Sequence, residues 1–153
     1  MKRKLSVILE NDLQELRVLT ELLQSFLRPY DMPGTTLYAL ELSLEEIFVN
    51  IVSYAYDDGE RHPVHFEVEV DSDMIGMAFI DEGRPFNPLA VENSRPKPPS
   101  EHDVGGLGIG FVRHMRDMME YQRQGARNIL RLWFQRDASV FGPQNASGTT
   151  PAS

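Results

Sequence analysis

Two consecutive strand patterns constrain the fold of this chain most. In residues 64–70, VHFEVEV, apolar and polar side chains alternate, which predicts a strand with one buried and one wetted face. After a turn at residues 71–73, the segment 74–80, MIGMAFI, is apolar throughout and predicts a more central strand. Two strands joined by a tight turn form a hairpin, so the chain is not a series of repeated strand–helix–strand crossovers.

Further elements surround this hairpin. Residues 4–10 predict a first strand, and residues 121–123 and 128–134 predict a last pair of strands turned at Gly125. Leucine and phenylalanine at helical spacing from residue 13 to residue 27 predict a helix, which Asn11 or Asp12 would cap. The predicted fold is an α+β two-layer sandwich, with helices on one face of a mixed, mostly antiparallel sheet.

A second predicted helix carries the first chemically informative residues. Its expected N-cap is Thr35 or Thr36, and its expected end lies near residues 57–59. Glu46 and Asn50 lie one turn apart beside its apolar stripe. They form either an exposed helix flank or part of a site, since a carboxylate and an amide are costly to bury without partners. The stripe recurs at helical spacing and consists of Leu37, Leu40, Leu44, Ile47 and Ile51.

A polar turn follows the apolar strand. Residues 81–88 read DEGRPFNP, and Asp81 comes directly after the strand, so we expect it at an end of the sheet. A carboxylate there can accept a hydrogen bond from an exocyclic amine such as that of adenine. Gly83 removes a side chain where a base would lie close. The alternative interpretation is an ordinary turn with an Asx-type hydrogen bond.

A glycine cluster opens a third predicted helix, whose apolar face includes Phe111, Met115 and Met118. Such a cluster lets the backbone approach an anion, and the helix N-terminus directs its positive end at it. The alternative is a close contact between helix and sheet. The absence of Gly-Lys-Ser/Thr excludes a P-loop, and no strand leads directly into the cluster, so a dinucleotide fingerprint is excluded too. The cluster comprises Gly105, Gly106, Leu107, Gly108 and Gly110.

Two segments lack a periodic pattern. Residues 89–104 carry several prolines between the two glycine motifs, which predicts a nucleotide lid. From residue 137 onward the composition is rich in Gly, Ser, Thr, Pro and Ala, which predicts a disordered tail on a domain of residues 1–136.

Composition narrows the function classes. The formal net charge of −8 argues against a nucleic-acid binder. The absence of cysteine excludes disulfides and cysteine-based metal sites. Because no apolar run is long enough for a membrane span or a signal peptide, we expect a cytoplasmic protein.

The order Glu-x-x-x-Asn, Asp-x-Gly, Gly-x-Gly resembles the GHKL ATP-binding superfamily. Residues 5–134 resemble in particular its anti-sigma factor serine/threonine-protein kinases, through residues 46–56, EIFVNIVSYAY, and more specifically through the PFNP ending of residues 81–88. The resemblance implies the Bergerat ATP-binding sandwich, with ATP and Mg²⁺ as cofactors. By the same resemblance Asn50 would hold Mg²⁺, Glu46 would be the general base, and Asp81 would read adenine N6. The glycines from Gly105 would line the triphosphate.

The resemblance also implies partners and an activity. The expected function is phosphorylation of a STAS-type anti-sigma factor antagonist together with sequestration of a sigma factor. No direct contact with nucleic acid or membrane is implied, and a homodimer is left open. One alternative is a nucleotide-gated binding module of the same fold with little or no kinase activity. Another, outside the resemblance, is a structural α+β interaction domain.

Three positions depart from the family pattern. Many relatives have Asp where this chain has Asn87, and some kinases of this branch carry a basic residue where it has Val104. The last strand of relatives often carries a Thr near the adenine pocket, where we place Arg131. The missing basic residue bears on stabilisation of the γ-phosphate, and therefore on transfer more than on binding.

Overall fold

The computed structural model describes residues 2–85, 87 and 118–136. Two helices, a short 3₁₀ turn at Arg28–Tyr30 and five strands make up this part of the chain. The glycine cluster, the predicted lid, most of the third helix and the predicted tail lie outside the described residues and stay predictions. In chain order the elements are β1 Arg3–Glu10, α1 Glu15–Leu27, α2 Gly34–Tyr54, β2 Pro63–Val70, β3 Met74–Asp81, β4 Met119–Gln124 and β5 Arg127–Gln135.

The strands form one sheet in the order β1-β2-β3-β5-β4, and each neighbouring pair is antiparallel. The strand β3 therefore lies in the middle, as its apolar sequence predicted. Its hairpin with β2 turns at Asp71, whose Oδ1 accepts hydrogen bonds from the backbone N–H groups of Asp73 and Met74 at 2.8 and 2.7 Å. Gly125, at φ 60°, makes the turn between β4 and β5. The predicted α+β sandwich is confirmed.

The core lies between the two helices and one face of the sheet. Alternate residues of β2 are fully buried, whereas His65, Glu67 and Glu69 face the other side, as predicted. The same alternation in β3 sends Asp81 inward with the apolar residues of that strand. The innermost side chains come from both layers and include Leu19, Leu23, Leu40, Leu44, Phe48, Phe66, Phe79 and Phe134.

The helix N-caps differ from the predictions. The helix α2 begins at Gly34 with Pro33 as N-cap, which has a non-helical ψ of 146° and makes no side-chain cap hydrogen bond, and Thr36 is buried within the first turn. The helix ends at Tyr54, a few residues before the expected end. Before α1, Asp12 accepts the N–H of Gln14 at 2.9 Å, but Gln14 itself occupies the N-cap position.

No helix in the described part of the chain is both long enough and apolar enough to cross a membrane.

The loop after β3 packs directly against the end of α2. A Cβ atom on Gly83 would lie 2.5 Å from the carbonyl oxygen of Ala55 and 2.9 Å from its Cβ. The backbone N–H of Arg84 donates to the same carbonyl at 3.0 Å, so this contact is also hydrogen-bonded. A residue with any side chain would push the loop away from the helix.

We therefore expect Gly83→Ala to lower the free energy of unfolding by about 1–3 kcal/mol, the usual cost of forcing extra volume into a packed contact. Urea unfolding followed by circular dichroism measures it. Gly34→Ala is the matched control, because a Cβ on Gly34 meets nothing within 4 Å, and it should change stability by less than about 1 kcal/mol. Equal stability of the two variants would show that the loop does not need this close approach.

Candidate functional site

The helix α2 positions Glu46 and Asn50 on successive turns. Asn50 is only 1% exposed, and Glu46 is partly buried. The interpretation of this pair as an exposed helix flank is therefore wrong. The reason is that Ala39, Ser43 and Phe48 are buried as well, so the helix is covered over a wider face than its leucine stripe.

Asp81 is the last residue of β3 and is 4% exposed. Its Oδ1 accepts hydrogen bonds from the backbone N–H of Gly83 at 2.8 Å and from Nδ2 of Asn128 at 2.9 Å. The predicted position at a sheet end is confirmed, and so is the Asx-type turn. A turn alone, however, does not require a buried carboxylate, because such turns form readily at exposed positions such as Asp58.

The second oxygen of Asp81 differs from the first. Among the residues that the structure describes, no hydrogen bond reaches Oδ2. A carboxylate has about four lone-pair positions, so Oδ2 retains acceptor capacity. Burial raises the pKa of Asp81 above the ordinary aspartate value, against the lowering effects of the Asn128 and Gly83 hydrogen bonds and of the Arg123 charge.

Asn128 is a partner of Asp81 that the sequence analysis did not identify. It lies directly opposite Asp81 in the pairing of β3 with β5 and is 3% exposed. Its Nδ2 also donates to the carbonyl of Arg84 at 2.8 Å, so it holds both ends of the turn. Antiparallel pairing places the end of one strand beside the start of the next, so pairing the predicted strand 74–80 with 128–134 would have found it.

Arg131 does not lie where the family pattern placed it. It pairs with Ala78 and lines a shallow groove on the opposite face of the sheet, with Lys4, Glu67 and Trp133. Arg131 lies three positions after Asn128, and an odd offset along a strand puts two side chains on opposite faces. Arg131 therefore does not face Asp81, whereas Asn128 lies directly opposite it.

The turn after β3 is tied to the last residue of α2 and to the segment that follows it by further hydrogen bonds. Nε of Arg84 donates to the carbonyl of Tyr54 at 2.8 Å, and the backbone N–H of Glu82 donates to the hydroxyl of Tyr56 at 2.9 Å. Asn50 lies five residues before Ala55, roughly 7.5 Å along the helix axis. The structure thus brings Asp81 and Gly83 to the end of the helix that carries Glu46 and Asn50.

A side chain at position 83 would collide with Ala55, so packing against the end of the helix is sufficient to explain why this residue is a glycine. A contact of Gly83 with a base stays a prediction. The same holds for the predicted glycine cluster, which lies outside the described residues.

The donor atoms suit a nucleotide with its magnesium ion. The described residues hold no group of three or more His, Cys, Asp or Glu that could bind a metal alone. Mg²⁺ on a nucleotide needs only one or two protein oxygens, because phosphates and water supply the others. The amide oxygen of Asn50 is a donor of this kind.

Comparisons with known proteins identify the family and the fold. Residues 9–134 match the family model described as histidine kinase-like ATPase domain. The serine/threonine-protein kinase BtrW of Bordetella bronchiseptica is 26% identical over 96 residues, which are 62% of this chain and 68% of BtrW.

A solved structure of the RsbU and RsbW domains of Rv1364c from Mycobacterium tuberculosis has the same fold. It superposes with a TM-score of 0.62 at 11% identity and covers 92% of this chain, which spans only 35% of that longer one. Since the family match extends over most of the sequence, the chain belongs to the histidine kinase-like ATPases of the GHKL type.

Proposed function

We propose that the chain binds Mg-ATP and transfers the γ-phosphoryl group to a serine of a protein partner. The observation that carries this proposal is the buried Asp81, which has one oxygen fixed by the protein while its second retains acceptor capacity. A desolvated carboxylate with this arrangement suits recognition of an amino group on a base, because its hydrogen bond gains strength away from water. ATP supplies the phosphoryl group, and this chain holds the adenine and the magnesium ion.

Asn50 and Glu46, both on α2, have separate roles in this proposal. Asn50 offers an amide oxygen to the magnesium ion of the nucleotide. Glu46, one turn earlier and partly open to solvent, takes the proton of the serine hydroxyl as general base. Phosphoryl transfer requires little more from a protein than such positioning and charge stabilisation.

The proposed partners are those of an anti-sigma factor kinase, a STAS-type anti-sigma factor antagonist as substrate and a sigma factor as a sequestered protein. The similarity to BtrW, named as a serine/threonine-protein kinase, and to a structure that includes an RsbW domain supports this choice. The net charge of −8 favours protein partners over nucleic acid. We propose the cytoplasm as the location.

A nucleotide-gated binding module is the second candidate. Val104 stands where some kinases of this branch carry a basic residue, and a missing cation near the γ-phosphate slows transfer more than it weakens binding. Transfer of labelled phosphate to an antagonist separates the two candidates.

The first prediction concerns recognition of adenine. Wild type should bind Mg-ATP more tightly than Mg-GTP, and Asp81→Asn should weaken ATP binding about 10–100-fold, the value of a hydrogen bond to a charged group. Isothermal titration calorimetry measures both. Asp71→Asn is the matched control, because Asp71 also accepts backbone N–H groups at a turn but at the other end of the hairpin. Equal affinity of wild type for ATP and GTP would remove this role from Asp81.

The second prediction separates chemistry from binding. Glu46→Gln keeps the shape of the side chain and removes the general base. Phosphoryl transfer should therefore fall about 10²–10⁴-fold, while ATP affinity stays within a few-fold of the wild-type value. Asn50→Ala removes the metal oxygen, so ATP affinity should fall and its Mg²⁺ dependence should flatten. Glu45→Gln on the exposed side of the helix should change neither quantity. Transfer by Glu46→Gln at the wild-type rate would show that Glu46 is not the base.

The third prediction concerns pH. Because the pKa of Asp81 is raised, acidification should protonate it at a higher pH than an ordinary aspartate, and ATP affinity should then fall. The folded protein binds this proton more tightly than the unfolded chain. Relative to Asp81→Asn, the free energy of unfolding of the wild type should therefore increase as the pH falls from the raised pKa toward the ordinary one.

Opposite pH trends of ATP affinity and stability, each measured relative to Asp81→Asn, are the expected result. Calorimetry and urea unfolding across the acidic range measure them. Parallel trends would contradict the assignment of both effects to this carboxyl group.

A further inference from the structure

The side chain of Asn128 is hydrogen-bonded on both sides. Its Nδ2 donates to Oδ1 of Asp81 at 2.9 Å and to the carbonyl of Arg84 at 2.8 Å. Its Oδ1 accepts from the hydroxyl of Tyr121 and from Nη1 of Arg123 at 3.1 Å. These partners use both amide N–H donors and both oxygen lone pairs. The amide therefore has one orientation, with its N–H groups toward Asp81.

Arg123 extends this network to the loop. The same Nη1 donates to the carbonyl of Gly83 at 2.8 Å, and Nε donates to the carbonyl of Gly125 at 3.0 Å. The planar guanidinium thereby joins the loop after β3 to the turn between β4 and β5. It also places a positive charge near Asp81, which favours the charged form of that carboxyl group.

Asp81 is consequently held at a defined rotation. Oδ1 already has two donors, one from the backbone and one from Asn128. Rotating the carboxylate away from this position would break both contacts and leave the buried amide of Asn128 with an unsatisfied donor, which typically costs about 1–3 kcal/mol. Oδ2 is thus the oxygen kept for a further donor.

We propose that Asn128 and Arg123 are positioning residues of the nucleotide site, which hold Asp81 so that Oδ2 accepts the amino group of an adenine base. This inference rests on the proposed function, since it needs Asp81 to read the base. A purely structural role for the network is the competing explanation. It predicts lower stability without a change in base preference.

The test measures the ratio of the dissociation constants for Mg-GTP and Mg-ATP. Asn128→Asp keeps the shape but replaces the donor with a carboxylate that repels Asp81. The preference for ATP should fall about tenfold or more near pH 8, matching the loss of one hydrogen bond to a charged group. On acidification the two neighbouring carboxyl groups share a proton, so the preference should recover, whereas that of wild type declines.

Arg123→Gln provides a second variant with a matched control. Its preference for ATP should fall several-fold. Arg136→Gln is the control. It removes a guanidinium that donates to the carbonyl of Asp71 at 2.8 Å, at the turn between β2 and β3, and it should leave the preference unchanged. Thermal unfolding of both variants reports the structural cost. If Asn128→Asp does not fold, Tyr121→Phe removes one donor to Asn128 and should still lower the preference a few-fold.

The outcomes are distinguishable. A wild-type protein without preference for ATP overturns both this inference and the role of Asp81. If wild type prefers ATP through Asp81 but the Asn128, Arg123 and Tyr121 variants keep its ratio, only the positioning role is overturned. Loss of preference in these variants, with Arg136→Gln unchanged, supports it.

Discussion

The site depends on a carboxylate buried at the end of the central strand. Strand alternation sends Asp81 inward behind Ile75, Met77 and Phe79, and a buried charge needs nearby hydrogen bonds and an opposite charge. These come from three different segments, namely the loop after β3, the start of β5 and the strand β4. Because β5 lies between β3 and β4, the sheet order itself brings these partners together.

The same loop completes the end of α2. The last carbonyl groups of a helix have no partner within the helix. Here the backbone N–H of Arg84 and its Nε supply donors to the carbonyls of Ala55 and Tyr54. The helix that carries the proposed general base and metal ligand is thus hydrogen-bonded at its end to the loop proposed to bind adenine.

Local sequence patterns predicted the helices and strands better than the contacts between residues of different elements. Period-two alternation predicted β2 and the following hairpin, because one wetted face leaves a clear signal. The burial of Asn50 was not evident, since a leucine stripe does not show how widely a helix is covered. The position of Asn128 depends on which strands pair, and β3 pairs with a strand far along the chain. Arg131 was misplaced because a family pattern does not fix the register of this strand, on which the face depends.

The chemistry of Asn128 explains why an amide suits this position. A hydroxyl side chain has one hydrogen to donate, so it could bind either Asp81 or the carbonyl of Arg84. An amide donates to both, and its oxygen at the same time accepts from Tyr121 and Arg123. The carboxylate, the loop backbone and the edge strand β4 are therefore connected through one planar group. Since such a group cannot rotate without breaking four hydrogen bonds, a movement of the loop in either direction would also displace the carboxylate.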